Sequence, residues 1–222
     1  SSAASDVYKR QGPVVQNVTV TVADGRFWYS LGNGLGNGLD NNWYLDGNNA
    51  SVVSSDGNKT TVQMGSGYRG DLWLARSGKG KIVNVTPADY RYFAIKVGFK
   101  SQLVPGKNKP NGCIKLEIFD DGIKKIGPEY FGTGGDANNR YEILGASEIS
   151  TTEPNVLYYD LQSKYKTVTP TDWNQVFDLV QCKFVIADFP ETAQTYDLYW
   201  IRSFKSIEEL QAFVDSENNT NE

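Results

Sequence analysis

Glu117, Asp120 and Asp121 form the densest cluster of acid–base side chains in this chain, which contains no histidine. Histidine is the commonest general base, a frequent metal ligand and the usual partner of a nucleophilic Ser or Cys. Its absence removes serine–histidine and cysteine–histidine catalysis and histidine-based zinc sites, and two cysteines are too few for a four-thiolate site. Carboxylates alone can still hydrolyse glycosides. A retaining pair needs its carboxyl groups about 5–5.5 Å apart and an inverting pair about 6.5–9.5 Å. Glu117 and Asp121 share a strand face but are separated by roughly 13 Å at about 3.3 Å per residue. Asp120 points the other way if the strand continues. A turn at Asp121-Gly122 would undo this, so the cluster fits the geometry poorly without being excluded, and a pair assembled from distant strands stays open. No P-loop or dinucleotide fingerprint is present, because Gly132-Thr133-Gly134-Gly135 is followed by no helix pattern. No enzyme is expected.

The other chemistry on offer is stacking. The chain carries 13 Tyr, 10 Phe and 5 Trp. Aromatic rings give flat apolar faces with polar tips, suited to a sugar ring with its C–H face and rim of hydroxyls. Trp73 shares parity with Asp71, opposite Leu72 and Leu74. Trp28 shares parity with Arg26 and Ser30, opposite Phe27 and Tyr29. Tyr92 shares parity with Lys96, opposite Phe93 and Ile95. These rings are expected on polar strand faces. Trp43, Tyr44, Tyr68 and Arg69 fall in loops and would extend the platform. The simpler reading of any one of these rings is that it covers sheet surface. Trp200, Phe204, Tyr158 and Phe184 are assigned to the core. The segment Asp40-Asn41-Asn42-Trp43-Tyr44-Leu45-Asp46 has oxygen ligands suited to calcium, although an Asx-rich turn explains it more simply. No cofactor is expected beyond that candidate structural calcium.

The elements that must hold these residues are strands. Val18, Val20 and Val22 alternate with Thr; Phe93, Ile95, Val97 and Phe99 alternate with Ala94, Lys96 and Gly98; Ile114, Leu116 and Ile118 alternate with Lys115 and Glu117. Such period-two patterns mark half-buried strands. Gly/Asn/Asp clusters separate them, among them Gly32–Asn42, Asp56-Gly57-Asn58 and Gly132–Asn139. Many short strands with regular punctuation indicate an all-β fold, an antiparallel β-sandwich of jelly-roll type. Ser206 and Glu209 form a capping box, with Ile207, Leu210 and Val214 at helical spacing, so a short C-terminal helix closes the chain. Trp173, Val176, Phe177 and Val180 also fit helical spacing, which suggests a short helix before a strand at Gln181. Cys182 falls on a core face and Cys113 on a polar one, so no disulfide is expected.

Length, charge and termini bound the rest. A chain of 222 residues suits one β-sandwich domain, spanning 12–214, with 215–222 as a polar tail or linker. Ser1–Gln11 resembles a translated sequencing adapter and is set aside as a non-native leader, which suggests a metagenomic origin and a missing natural N-terminus with any secretion signal. A net charge of -4 with no basic cluster argues against nucleic acid. No apolar run approaches the roughly 18 residues of a membrane span.

The segment Tyr196-Asp-Leu-Tyr-Trp-Ile-Arg-Ser-Phe-Lys-Ser-Ile-Glu-Glu-Leu-Gln-Ala-Phe213 resembles the closing strand and helix of accessory domains in gut-bacterial polysaccharide-degrading proteins. Lys115–Gly122 and Tyr158–Leu161 are consistent with it. These motifs close a fold and carry over no binding residue. The resemblance implies a carbohydrate-binding module attached to a glycoside hydrolase, of xylanase-associated type, in a secreted or cell-surface bacterial protein. The expected partner is a plant polysaccharide such as xylan. The competing readings are a histidine-free glycosidase or lyase and a protein-interaction module.

Overall fold

The computed structural model describes residues 25–36, 41–45, 50–64, 69–75, 83–86, 88–102, 114–120, 142–162, 177–187 and 194–220. In chain order the strands are β1 (Trp28–Ser30), β2 (Tyr44–Leu45), β3 (Ser51–Ser55), β4 (Thr60–Gln63), β5 (Arg69–Ala75), β6 (Val83–Val85), β7 (Tyr92–Phe99), β8 (Ile114–Asp120), β9 (Glu142–Ile143), β10 (Asn155–Asp160), β11 (Phe177–Ala187) and β12 (Thr195–Phe204). One helix, α1 (Ile207–Asn219), follows them. Among the described residues, seven strands form a sheet in the order β3-β4-β12-β7-β10-β9, with β1 also on β12. Five form a second sheet in the order β2-β5-β11-β6, with β8 also on β11. Every pairing is antiparallel.

The two sheets pack face to face. Phe93, Ile95, Val97, Leu157, Tyr159 and Ile201 of the larger sheet meet Leu72, Leu74, Cys182 and Phe184 of the smaller. Tyr159 and Phe184 touch edge to face across the layer at 6.2 Å. The expected alternation in 93–99 is thus the inner face of β7. The all-β sandwich and its C-terminal helix are as the sequence patterns require. The Val18–Val22 alternation and the loop from Gly132 lie outside the described residues.

One irregularity decides which side chains face out. The pairing of β12 with β7 steps from Leu198↔Val97 to Trp200↔Lys96, leaving Tyr199 as an extra residue. Such a bulge breaks strand alternation. Tyr196, Leu198 and Ile201 therefore enter the inner core, while Trp200 and Phe204 join a second cluster on the outer face. Helix α1 lies on that cluster through Ile207, Leu210, Phe213 and Val214. Spacings of three, three and one place these residues on one helical face. The Ser206 hydroxyl accepts from the Glu209 N–H at 3.1 Å, and the Glu209 carboxylate accepts from the Lys205 N–H at 2.6 Å, so the expected cap is formed.

Two sequence expectations are corrected here. Residues 215–219 are not linker: they continue α1, because Glu217 accepts from Trp200 Nε1 and pairs with Lys96, each at 3.1 Å. A polar stretch reads as a tail only when the partners that fix it are invisible. Phe177 and Val180 are not helical either: they belong to the 11-residue strand β11, which pairs with β6 and β8. Ladder pairing on both edges overrides a local helical spacing. Cys182 is a free, fully buried thiol whose pKa is raised by burial, while Cys113 lies outside the described residues.

Candidate functional site

The aromatic residues expected to form a platform go to different places. Trp43 is fully buried in the inner core, with Tyr29 edge-on at 5.9 Å. It does lie in a loop, as expected, but buried and not as part of an exposed platform. The cause is Asn41, whose Oδ1 accepts from the N–H groups of Gly36 and Trp43 while its Nδ2 donates to the carbonyls of Ser30 and Gly34. That buried amide folds the Gly-rich loop inward and delivers Trp43 to the core. It also occupies Asn41 in structure; Asp40 and Asp46, the carboxylates of the candidate calcium loop, lie outside the described residues.

Trp28 and Tyr92 do sit on the outer face of the larger sheet, but beneath or beside other groups. The Trp28 ring meets Phe204 and Phe213 at 5.7 and 5.4 Å. The guanidinium carbons of Arg26 and Arg202 lie 4.0 and 4.4 Å from its centroid. Tyr92 lies edge-on to Tyr158 at 6.1 Å and beside Arg91. These rings pack the sheet–helix layer, with cations as neighbours.

Trp73 faces away from the inner core, as its parity with Asp71 requires, since Leu72 and Leu74 face in. It is only 8% exposed, with the Lys183 ammonium 4.6 Å from its ring centroid. In register, Tyr44 pairs with Trp73, Trp73 with Lys183 and Lys183 with Glu117, forming a row across the smaller sheet. Tyr44 is half-buried in β2 rather than in a loop. Arg69 opens β5 opposite Ala187, and Tyr68 lies outside the described residues. Of the catalytic carboxylates considered, Glu117 and Asp120 pair in register with Lys183 and Leu179, and Asp121 lies outside the described residues.

Among the described residues a concavity opens elsewhere, on the outer face of the larger sheet beside α1. It is a cleft of about 610 Å³, within the size range of small-ligand sites. Tyr199, the bulge residue, lies in its lining with Lys96, whose ammonium is 5.5 Å from the Tyr199 centroid. Gln211, Val214, Asp215 and Asn218 line one side. Their spacing of three, one and three sets them on a single helical face, and Gln211 Nε2 donates to Asp215 Oδ1 at 2.7 Å. The opposite side comes from the β9–β10 region, with Gly145, Glu153, Pro154 and Asn155. Asn155 fixes that loop, accepting from the Ser150 N–H at 2.7 Å and donating to the Ser150 carbonyl at 2.9 Å. The Ser150 hydroxyl accepts from the N–H groups of Thr152 and Glu153.

Asn58 completes the lining from the β3–β4 hairpin. This turn is closed by Asp56 Oδ1, which accepts from the N–H groups of Asn58 and Lys59 at 2.9 and 2.8 Å. Those bonds hold the Asp56 carboxyl below its usual range. Gly57 takes a φ of 91°, a conformation natural to glycine. Its carbonyl would lie 2.3 Å from a Cβ at Gly32, so a side chain at 32 would push the hairpin away.

Beside the cleft sits Asp197, its side chain 2% exposed. Lys59 and Lys100 both donate to its Oδ2 at 2.8 Å, and Thr61 donates to Oδ1 at 2.7 Å. Burial alone would raise this carboxyl, but the hydrogen bonds from Lys100, Lys59 and Thr61 outweigh it and hold the group below the usual carboxylate range. Tyr199 feels both lysines and Asp197, and burial raises its phenol above the ordinary value. Among the described residues, no group of three or more Asp, Glu, Cys or His converges as a metal site.

Sequence reasoning missed the cleft. Its lining comes from five separated segments, and Asp215 and Asn218 fall in the stretch that reads as a tail. Continuation of the Gln211, Val214, Asp215, Asn218 spacing past Val214 was the one available signal.

Residues 34–210 match the family described as Domain of unknown function (DUF4979), and the chain belongs to that family. No curated protein matches it. Among solved structures it is similar to a low affinity xylan binding module, CBM86, from the xylanolytic gut symbiont Roseburia intestinalis, at 12% identity over 75% of this chain and 92% of that one, with a TM-score of 0.32.

Proposed function

We propose that this DUF4979 domain is a non-catalytic module that binds a plant cell-wall polysaccharide, xylan first, in the cleft between α1 and the β9–β10 region. The observation that carries the reading is the cleft's lining. One half-buried ring, Tyr199, sits among the amides Asn58, Gln211 and Asn218 and the apolar Val156 and Val214. A sugar presents the complementary surfaces, an apolar C–H face for the ring and hydroxyls for amide donors and acceptors. A single stacking contact contributes on the order of 1 kcal/mol, so affinity is expected in the micromolar to millimolar range, about -8 to -4 kcal/mol. The module would hold an attached glycoside hydrolase on its substrate, outside the cell or on its surface. Among the described residues no helix is long and apolar enough to cross a membrane.

Affinity electrophoresis against xylan, β-glucan and mannan tests this. Retardation by at least one polymer, reduced in Tyr199→Ala at unchanged melting temperature, is the expected outcome. Free migration on every plant glycan would end the reading. Glu153 and Asp215 both line the cleft, which gives a glycosidase a specific alternative. Release of reducing ends by the wild-type chain, abolished in Glu153→Gln or Asp215→Asn, would replace binding with catalysis.

A further inference from the structure

The Lys59–Lys100 pair lies next to Tyr199 and has a charge imbalance. Both ammonium groups lean on a single carboxylate oxygen, Asp197 Oδ2, at 2.8 Å each. One enclosed carboxylate sets a single negative charge against two positive ones, and among the described residues neither lysine has a second ion-pair partner. The two lysines are 30% and 51% exposed, against 2% for Asp197, so the surplus charge is presented outward and its partner is not. Asp56 acts on Lys59 through space, but its carboxylate is turned to the N–H groups of its own hairpin turn. In register Asp197 faces Gly98, and Tyr199 Cε2 and Asp197 Oδ2 lie 3.6 and 3.7 Å from where a Cβ at Gly98 would stand, which sets the ring beside the carboxylate. Lys96, on the other side of Tyr199, is held by Glu217 at 3.1 Å.

We propose that this end of the cleft receives a negatively charged sugar substituent, the carboxylate of a uronic acid, and that the ligand is an acidic rather than a neutral polysaccharide. The proposal rests on the polysaccharide-binding reading. Within plant cell-wall glycans the anionic group is the uronate carboxylate. An ammonium pair is suited to such a charge, since lysine acts as a compact point charge with freely rotating donors. The chain's net charge of -4 opposes any acidic polymer at long range, so the preference must come from local contact. It is best measured near physiological salt, where the screening length is about 8 Å.

The test compares glucuronic-acid-substituted xylan with the same polymer after chemical reduction of its carboxyl groups. Wild-type protein is expected to bind the acidic form about fivefold more tightly, the scale of one exposed ion pair near its upper value. Lys100→Gln leaves Lys59 balanced against Asp197. It should abolish the preference, keep the affinity for the reduced polymer and lower the melting temperature only slightly, as the loss of one half-exposed ion pair does. Equal binding of the two polymers by wild type, or a preference that survives Lys100→Gln, overturns the proposal and leaves polysaccharide binding intact. Failure to bind either polymer overturns both.

Discussion

On its inner face the larger sheet presents Phe93, Ile95, Val97 and Leu198 to the rings and aliphatic chains of the second sheet. On its outer face Trp28 and Trp200, with Phe213 from α1, enclose a guanidinium. Arg202 lies 4.4, 5.4 and 4.6 Å from the Trp28, Trp200 and Phe213 rings and reaches Glu217 at 4.0 Å. Burial lowers its pKa to about 10. Arginine tolerates this because its planar, weakly hydrated head stacks on aromatic faces. An aromatic ring on a charged strand face is therefore no guarantee of an exposed platform. In this chain the charge is part of the packing, and a helix covers it.

The comparison can be pressed by mutation. The largest effect belongs to the inner layer: Trp43→Ala should lose about 3–5 kcal/mol in chemical denaturation, because the cavity forms where neighbours cannot collapse. Trp73→Ala follows, at about 3 kcal/mol, because the ring is almost enclosed and Lys183 loses its stacking partner. Unchanged stability with lost glycan retention would instead make Trp73 a binding platform.

Asp197→Asn should cost about 2 kcal/mol by removing the negative charge that two ammonium groups share. The pH dependence has a fixed sign. The folded carboxyl titrates below its unfolded value near about 4. Its contribution is complete above that value and is lost as pH falls through the folded pKa. Acid melts of wild type and Asp197→Asn should converge as pH drops. Parallel curves would show that the lysines add nothing.

The outer layer should yield smaller numbers. Glu217→Gln should cost about 1 kcal/mol, weakening the ties to Lys96 and Arg202, with faster amide exchange confined to α1. Exchange that speeds up equally in β7 and β10 would mean that the two layers are one cooperative unit. Tyr199→Ala should be smallest in stability, under about 1 kcal/mol, and visible mainly as weakened glycan retention.

Much of the scaffold was legible because its signals are local. The alternation in 93–99, the Asp56-Gly57-Asn58 turn and the Ser206–Glu209 cap each act within a few residues. The cleft was not. Tyr199 faces out because of a bulge, and a single extra residue leaves no mark in composition or periodicity. Residues 215–219 are polar, so their order depends on Trp200, Lys96 and the sheet beneath, all distant in sequence. Trp43 was displaced in the opposite sense: an Asn-rich, Gly-rich loop looks exposed until the Asn41 amide is seen to satisfy four backbone groups.

The sequence by itself determined the all-β class, the closing helix and its cap, and the exclusion of histidine chemistry, because propensity, periodicity and residue type need no partner. Tertiary structure alone decided which aromatic rings are covered, which lysines share one carboxylate and where the surface opens. Those outcomes depend on register and on layers packed from segments more than a hundred residues apart, such as Lys59 and Asp197, and pairing between distant strands is not written in either strand alone.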